Sequence, residues 1–542
     1  MTIVVGAGAA GAPLAARLSE DASRRVVVVE AGATPPTTDA FPAELLDAGT
    51  VRGAMPGHPA NWSYTGNLTP DLPYTIARGR ILGGSSTING GYFVRARPED
   101  FARWETEGGP DWSYERTLPL MRALERDLDY GETGEHGGTG PVPVKRASQQ
   151  NPAAVAFREA ALELGFSEEP DKNAPGTPGV GPVPQNVVDG VRWNTGMTYL
   201  NPVRDRENLV VLGETRARRI LFDGRRAVGL EVESADGIRV LEADEVVLCA
   251  GAIASPHLLL VSGVGPAAQL ERHAIPVVYP AEGVGRAFSD HPEISVGWRS
   301  RQPIVDDSPE TFVTGLNFSS PAGDPAGDLE ILLSVKPTGY LLTGSQSTIA
   351  GGMKAAARHP LATLSALAGV SARRFRDQVV RGNDLVLLVA VQSERSRGTI
   401  RLRSANPLDD PQIDYHYLAD AADRARMRHA VRTAVALLRA HAFARLFDRL
   451  TELDDTVLDD DRRLDEWMLR HLGTAIHMCG SAPMGPEGDP GAVVDGHGRV
   501  HGVEGLRVAD TSILPTTPSR GPAATAVLIG ELVARAMRQP SS

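Results

Sequence analysis

Two short unbroken apolar runs, Ile3-Val4-Val5 and Val26 to Val29, bracket an alanine-rich stretch from Pro13 to Leu18. Apolar runs that do not alternate with polar positions predict strands buried on both faces, and the stretch between them reads as a crossover helix. Farther on, Leu209 to Leu248 is β-rich, with turn signals at Asp223-Gly224 and Asp236-Gly237, and Val246-Val247-Leu248 runs straight into a turn at Gly251. Ile294 to Trp298, Leu329 to Val335 and Leu385 to Gln392 alternate in part and predict an antiparallel sheet forming one wall of a site. Helices predicted at Ala419 to Leu438 and Asp459 to Arg470 cover that sheet, and Gly505 to Met537 reads as strand, loop and helix. Between Thr34 and Ile76 the chain is loop-rich, with Trp62 and Tyr64 as anchors.

The turn after the first strand carries the first chemical signal. Gly6, Gly8 and Gly11 stand at G-x-G-x-x-G spacing, serving a tight turn, close backbone approach to a pyrophosphate, and tight helix-to-strand packing. The helix that follows points free N–H groups and its positive dipole end at phosphate. Glu30, at the carboxyl end of the second strand, is placed to accept hydrogen bonds from both adenosine ribose hydroxyls, which favours FAD or NAD over NADP. A second place for bare backbone to approach a cofactor is Arg78-Gly79-Arg80-Ile81-Leu82-Gly83-Gly84-Ser85-Ser86-Thr87-Ile88-Asn89-Gly90-Gly91-Tyr92-Phe93.

Composition changes this picture in three respects. A chain of 542 residues is too long for one ordinary core, so two domains are expected. A formal net charge of −12 argues against nucleic acid as a partner. The two cysteines, Cys249 and Cys479, fit neither a metal spacing nor a disulfide framework, and read as small buried residues in a reducing compartment. With the cofactor strand starting at residue 2 and no apolar run of membrane-spanning length, a cytoplasmic location is expected. No metal site is expected: His497 and His501 lie four apart, but Gly496, Gly498 and Gly502 argue for turns and no third ligand is near.

The second glycine stretch resembles the first signature of the glucose-methanol-choline (GMC) oxidoreductases, and Gly251 to Gly265 resembles the second. Further marks are Gly283-Val284-Gly285 leading to Asp290-His291-Pro292, Ser396-Arg397-Gly398, His477 with Gly480 and Met484-Gly485, and Asp510-Thr511-Ser512 leading to Ile529-Gly530-Glu531. The resemblance implies an α/β chain, α+β overall, with a Rossmann-like FAD-binding domain and a substrate domain built on an antiparallel sheet covered by helices. It divides the chain into 1–145, 205–293 and 475–542 for FAD, and 146–204 and 294–474 for substrate. Activity on an alcohol follows, with FAD as hydride acceptor.

Within that resemblance, Gly6, Gly8, Gly11 and Glu30 are implied on the ADP half of FAD, Gly83, Gly84, Ser85 and Asn89 towards the flavin, Asp510 near the ribityl and pyrophosphate, and Arg80 as a further cofactor contact. His477 matches the family's catalytic histidine and suits hydroxyl-proton removal near pH 7, while His291 matches a position read as structural. Where some relatives carry a histidine bonded to the flavin this chain has Ile88, so FAD is expected without a covalent link. The family's usual second histidine or asparagine falls on Gly521, which has no side chain to offer; Ser519 and Arg520 are the local candidates to replace it.

That departure, with Ile88 to Phe93 and the ending Ile513-Leu514-Pro515, is similar to one branch, the GMC protein of the mycofactocin redox-peptide system of actinobacteria. The branch implies a reduced mycofactocin as substrate and electrons passed towards respiration. A choline- or aryl-alcohol-type dehydrogenase or oxidase stays open, as does a non-redox FAD-containing lyase. The partners expected are a small-molecule or peptide-derived redox substrate and a respiratory or membrane-proximal acceptor. An amphipathic basic segment, Lys354 to Arg381, reads either as the solvated face of an ordinary helical insertion or as a docking point for anionic lipid or an acidic partner at the inner face of the membrane.

Overall fold

The computed structural model describes residues 1–302, 304, 309–321, 323–337, 340 and 384–539. The basic segment from Lys354 to Arg381 lies outside these residues.

The unbroken apolar runs do form buried parallel strands. Thr2–Val5 is the middle of a five-stranded parallel sheet, flanked by Val26–Val29 and Leu209–Leu212 on one side and by Glu245–Leu248 and Leu506–Val508 on the other. All four residues of each of the first two strands are buried, as helices on both faces require. Helix Gly11–Leu18 packs on Ala523–Arg538, and Gly11 sits where a Cβ would overlap the Gly6 carbonyl oxygen. Of the β-rich stretch 209–248, only the two ends join this sheet. Arg216–Asp223, Arg226–Ser234 and Gly237–Glu242 instead form a separate three-stranded antiparallel sheet whose turns lie at the two Asp-Gly pairs. The loop-rich segment contains a hairpin, Tyr64–Thr69 with Leu72–Ile76.

Among the described residues the second sheet has seven strands, all antiparallel. Its order is Phe447–Leu450, Pro292–Ser300, Leu385–Val391, Leu329–Ser334, Phe312–Phe318 and Val180–Pro182, with Leu472–Thr474 also paired to Pro292–Ser300. Helix Ala421–Arg439 lies across it, begun by Asp420, whose side chain accepts from Ala422 N at 2.7 Å. Helix Asp461–His471 is capped in the same way by Asp460. Among the described residues, no helix is long and apolar enough to cross a membrane.

Candidate functional site

A cavity of about 490 Å³ runs between the two sheets, from Gly6, Gly8 and Glu30 past Gly84, Ser85 and Asn89 to His477 and Gly521. Its first end is bare backbone. Gly6 has φ +100° and a Cβ there would come to 2.5 Å from the Cys249 carbonyl oxygen; Gly84 has φ +54° and its Cβ would meet Gly8 Cα at 2.8 Å. The two glycine loops therefore abut, locked by the Gly83 N–H donating to Ala7 O at 2.8 Å. Just along the chain from Cys249, a Cβ added to Gly251 would meet nothing within 4 Å. Glu30 accepts from Ala7 N at 2.9 Å and Gly32 N at 2.8 Å, and burial pushes its carboxyl up from the ordinary range. Backbone N–H groups thus take part of its acceptor capacity, and the rest remains for a ligand.

Gly11 and Gly83 stand behind the wall as packing positions rather than on it. Arg80 is not on the wall either. Its exposed side chain lies over the Trp62 ring, 5.0 Å to the centroid, with Arg216 at 5.1 Å from the same ring, so it touches Glu30 only through its charge. Asp510 lines the cavity, but its carboxylate accepts from Gly251 N, Ser255 Oγ, Ser512 N and Ser512 Oγ, tying the start of helix Gly251–Val261 to the turn at Thr511–Ile513.

His477 is held from the backbone side. Its N–H donates to Asp290 Oδ1 at 2.6 Å, and so does that of His291 at 2.8 Å. Burial raises Asp290 to about 6, with the Arg78 charge working against it. The preceding Ile476 has φ +63°, a strained conformation for a β-branched residue, costing about 1–3 kcal/mol. Arg78 Nη1 donates to its carbonyl oxygen at 2.7 Å. Burial, and then the Arg78 charge, lower His477 to about 3, and burial with the His477 ring beside it takes His291 well below 6.5. Both rings are neutral at ordinary pH. His291 Nε2 faces the Pro518 carbonyl oxygen at 3.0 Å and so carries the proton; its Nδ1 is bare and accepts from His477 Nδ1–H at 3.0 Å. His477 Nε2 is left unprotonated, without a partner among the described residues, on a ring that lines the cavity.

Gly521 is next to this ring, where a Cβ would lie 3.4 Å from His477 Cε1. Neither local candidate replaces a side chain there. Ser519 Oγ donates to Asp100 Oδ2 at 2.9 Å, and Arg520 is fully buried, donating to Ser519 O at 2.7 Å and facing Glu169 at 3.7 Å. The side chains that do line this end and that the sequence did not single out are Tyr92, Glu293, Phe312 and Glu330. Burial, then the charges of Glu330 and Asp290, raise Glu293 to about 7. A signal existed for Glu330, a charge inside Leu329–Ser334, a strand buried along its whole length.

Away from the cavity, Glu125, Asp127 and His136 offer ligand-type atoms within 4.8 Å of one another. Arg95 pairs with Glu125 at 2.6 Å and Arg146 with Asp127, so cationic side chains already occupy the place of a metal. His497 and His501 are separated in role: Nε2 of the first meets Asp111 at 3.1 Å and Nε2 of the second meets Gly485 O at 3.1 Å.

The family model described as GMC oxidoreductase matches residues 2–293, and its C-terminal counterpart matches 394–530. The chain is 38% identical over 535 residues to an uncharacterized GMC-type oxidoreductase from the thcA 5' region of Rhodococcus erythropolis, covering 98% of this chain and 96% of the relative. It is 34% identical to an oxygen-dependent choline dehydrogenase of Brucella anthropi, with 98% and 94% covered. Among solved structures, pyridoxine 4-oxidase from Mesorbium loti superposes with a TM-score of 0.85 at 28% identity, covering 100% and 99% of the two chains. Formate oxidase of Aspergillus oryzae, at 22% identity and a TM-score of 0.83, shares the fold.

Proposed function

The chain belongs to the GMC oxidoreductase family, FAD-dependent enzymes that oxidise CH–OH groups, and from that premise we propose that His477 Nε2 takes the hydroxyl proton of an alcohol bound at the Gly521 end of the cavity. The observation that carries this is the neutral His477 ring with its bare Nε2, set on the cavity that also holds the two glycine loops and Glu30. The residues fit FAD: Glu30 for the ribose, Gly6, Gly8 and Gly251 for the pyrophosphate beside two helix starts, Ser85 and Asn89 towards the ring system. When bound, FAD supplies the hydride acceptor for the carbinol carbon. The protein's own part is to orient the carbinol, exclude water and hold the proton on His477. With a carbon side chain at Ile88, 3% exposed and on the cavity wall, we expect FAD to be held without a covalent bond.

As substrate we place first the reduced, peptide-derived carrier mycofactocin, supported by Gly521 and by the stretch 88–93. The electrons then pass to a respiratory acceptor at the cytoplasmic face of the membrane. A second reading, a choline-type alcohol, is favoured by Glu293, a carboxyl on the cavity wall without a hydrogen-bond partner among the described residues. Anaerobic mixing of the FAD-loaded protein with reduced mycofactocin, choline and an aryl alcohol tests both. Bleaching of the flavin band by the carrier alone supports the first and by choline alone the second. Product formed without bleaching rejects oxidation altogether.

A further inference from the structure

Two side chains at the His477 end of the cavity have no task in the reading above, on which the following rests. A Cβ added at 521 would come to 2.8 Å from Tyr92 Cδ1 and 3.0 Å from Cε1. The Tyr92 ring thus fills the space from which a side chain at 521 would reach towards the same substrate oxygen as His477. No positive φ marks Gly521, so the ring, and not the backbone, is what requires glycine there.

The ring is fixed at its far end. Tyr92 Oη donates to Glu330 Oε1 at 2.6 Å. Glu330, 6% exposed, also accepts from Asn317 Nδ2 at 3.0 Å and Gln392 Nε2 at 3.0 Å. The Asn317 amide has one orientation, because Lys172 Nζ can only donate and does so to Asn317 Oδ1 at 2.9 Å. A buried carboxyl in an otherwise apolar strand costs stability unless its hydrogen bonds are complete, and this one is supplied with three donors from three different strands or loops. The single phenolic proton is spent on Glu330, so the Tyr92 oxygen has only lone pairs left to offer. Glu293, on the same part of the wall, adds a further acceptor. A bound group whose own lone pairs faced these oxygens would be repelled, whereas an N–H would be held. Lys172, reached through Asn317, offsets part of the Glu330 charge, so this pair selects a hydrogen-bond donor more than a positive charge.

We infer that the Tyr92–Glu330 pair is the substrate grip that stands in for residue 521, and that it selects an alcohol carrying an N–H donor, an amide or an amine, beside the carbinol. This chemistry differs from that of a trimethylammonium group, which has no N–H to give.

The test uses the FAD-loaded protein and matched probes: lactamide against methyl lactate, and ethanolamine against choline and 1-propanol. Binding is read from the shift of the flavin absorption band and by calorimetry, and reduction is read separately by anaerobic bleaching. The N–H-bearing member of a set should bind at least about tenfold more tightly than its isostere, since a buried hydrogen bond left unmade leaves the desolvation of its partner uncompensated. Tyr92→Phe, which keeps the ring over Gly521, and Glu330→Gln should each abolish that preference while FAD content and unfolding temperature stay near the parent's. Preference confined to lactamide assigns an amide, and preference confined to ethanolamine an amine. Equal binding of isosteres, no binding of any probe, or a preference that survives both variants overturns the inference. Selective binding without bleaching overturns the dehydrogenase reading and leaves donor selection standing; unselective bleaching does the reverse.

Discussion

The Nδ1 atoms of His291 and His477 lie 3.0 Å apart, and the proton between them belongs to His477 because the Pro518 carbonyl has already fixed the proton of His291 on the other nitrogen. The free nitrogen of His477 is therefore chosen from outside the cavity. His477→Ala should keep FAD, since the glycine loops and Glu30 are untouched, yet slow flavin reduction by about a hundredfold or more. His291→Phe removes the acceptor and leaves the His477 proton free to move to Nε2, so reduction should fall while substrate binding changes little. Stopped-flow reduction traces, with nitrogen NMR of the His477 ring to read its tautomer, check both. Near-parent reduction in His477→Ala would sink its assignment as the base.

Gly521 and Tyr92 make a coupled pair. Gly521→Asn alone should displace the Tyr92 ring and lose stability by about 1–3 kcal/mol through overpacking, without faster reduction. In Tyr92→Val the space opens, so the double variant should be more stable and more active than the sum of the two singles predicts. A double-mutant cycle on unfolding and on flavin reduction measures this interaction, and strict additivity would show that the two residues do not compete for one space.

The parallel strands and the first glycine turn were legible in the sequence because a short apolar run and fixed glycine spacing are local signals. His477 was legible through resemblance, but its partner was not: the contact with His291 joins residues 186 apart in sequence, and no periodicity records it. The same holds for Gly521, whose missing side chain was readable while the Tyr92 ring in its place was not. Arg80 stands off the cavity wall, because a spacing says which backbone is near a cofactor and nothing about a long side chain that finds an aromatic face in Trp62. Glu330 is one charge in a largely apolar run, and that conflict is itself the sign of a buried carboxyl with donors supplied.

Substrate capture should depend on pH through Glu293, which burial and the neighbouring Glu330 and Asp290 charges raise to about 7. Below that pH the carboxyl is protonated and a poorer acceptor; above it the carboxylate attracts an amine. For an amine-bearing alcohol, kcat/KM should rise as pH increases through about 7 and then level, and Glu293→Gln should flatten the rise. His477, lowered to about 3, adds no inflection of its own between pH 5 and 9. A pH profile of kcat/KM in parent and variant decides the matter; an inflection retained in Glu293→Gln assigns it to another group.

The buried cluster around His136 should govern stability and not chemistry. His136 Nδ1 meets Glu125 at 2.9 Å and Nε2 meets Asp171 at 2.7 Å, while Arg146 spans Asp127 and Asp171. Burial alone would lower this imidazole, but hydrogen bonds to Asp127, Asp171 and Glu125 outweigh it and raise it to about 10. A folded value above the unfolded one near 6.5 means that the contribution is complete below about pH 6.5, declines above it and is gone once pH has risen through about 10. His136→Gln should cost about 3–5 kcal/mol at pH 6, because it leaves buried carboxylates short of one positive charge, and the gap to the parent should narrow steadily towards pH 10. Since Arg95 and Arg146 already occupy the carboxylates, millimolar zinc or calcium should leave the unfolding midpoint unchanged. Denaturant unfolding from pH 6 to 10, with and without metal, measures both effects; a gap that widens with pH, or a midpoint raised by either ion, would mean that His136 is neutral and the cluster a ligand set.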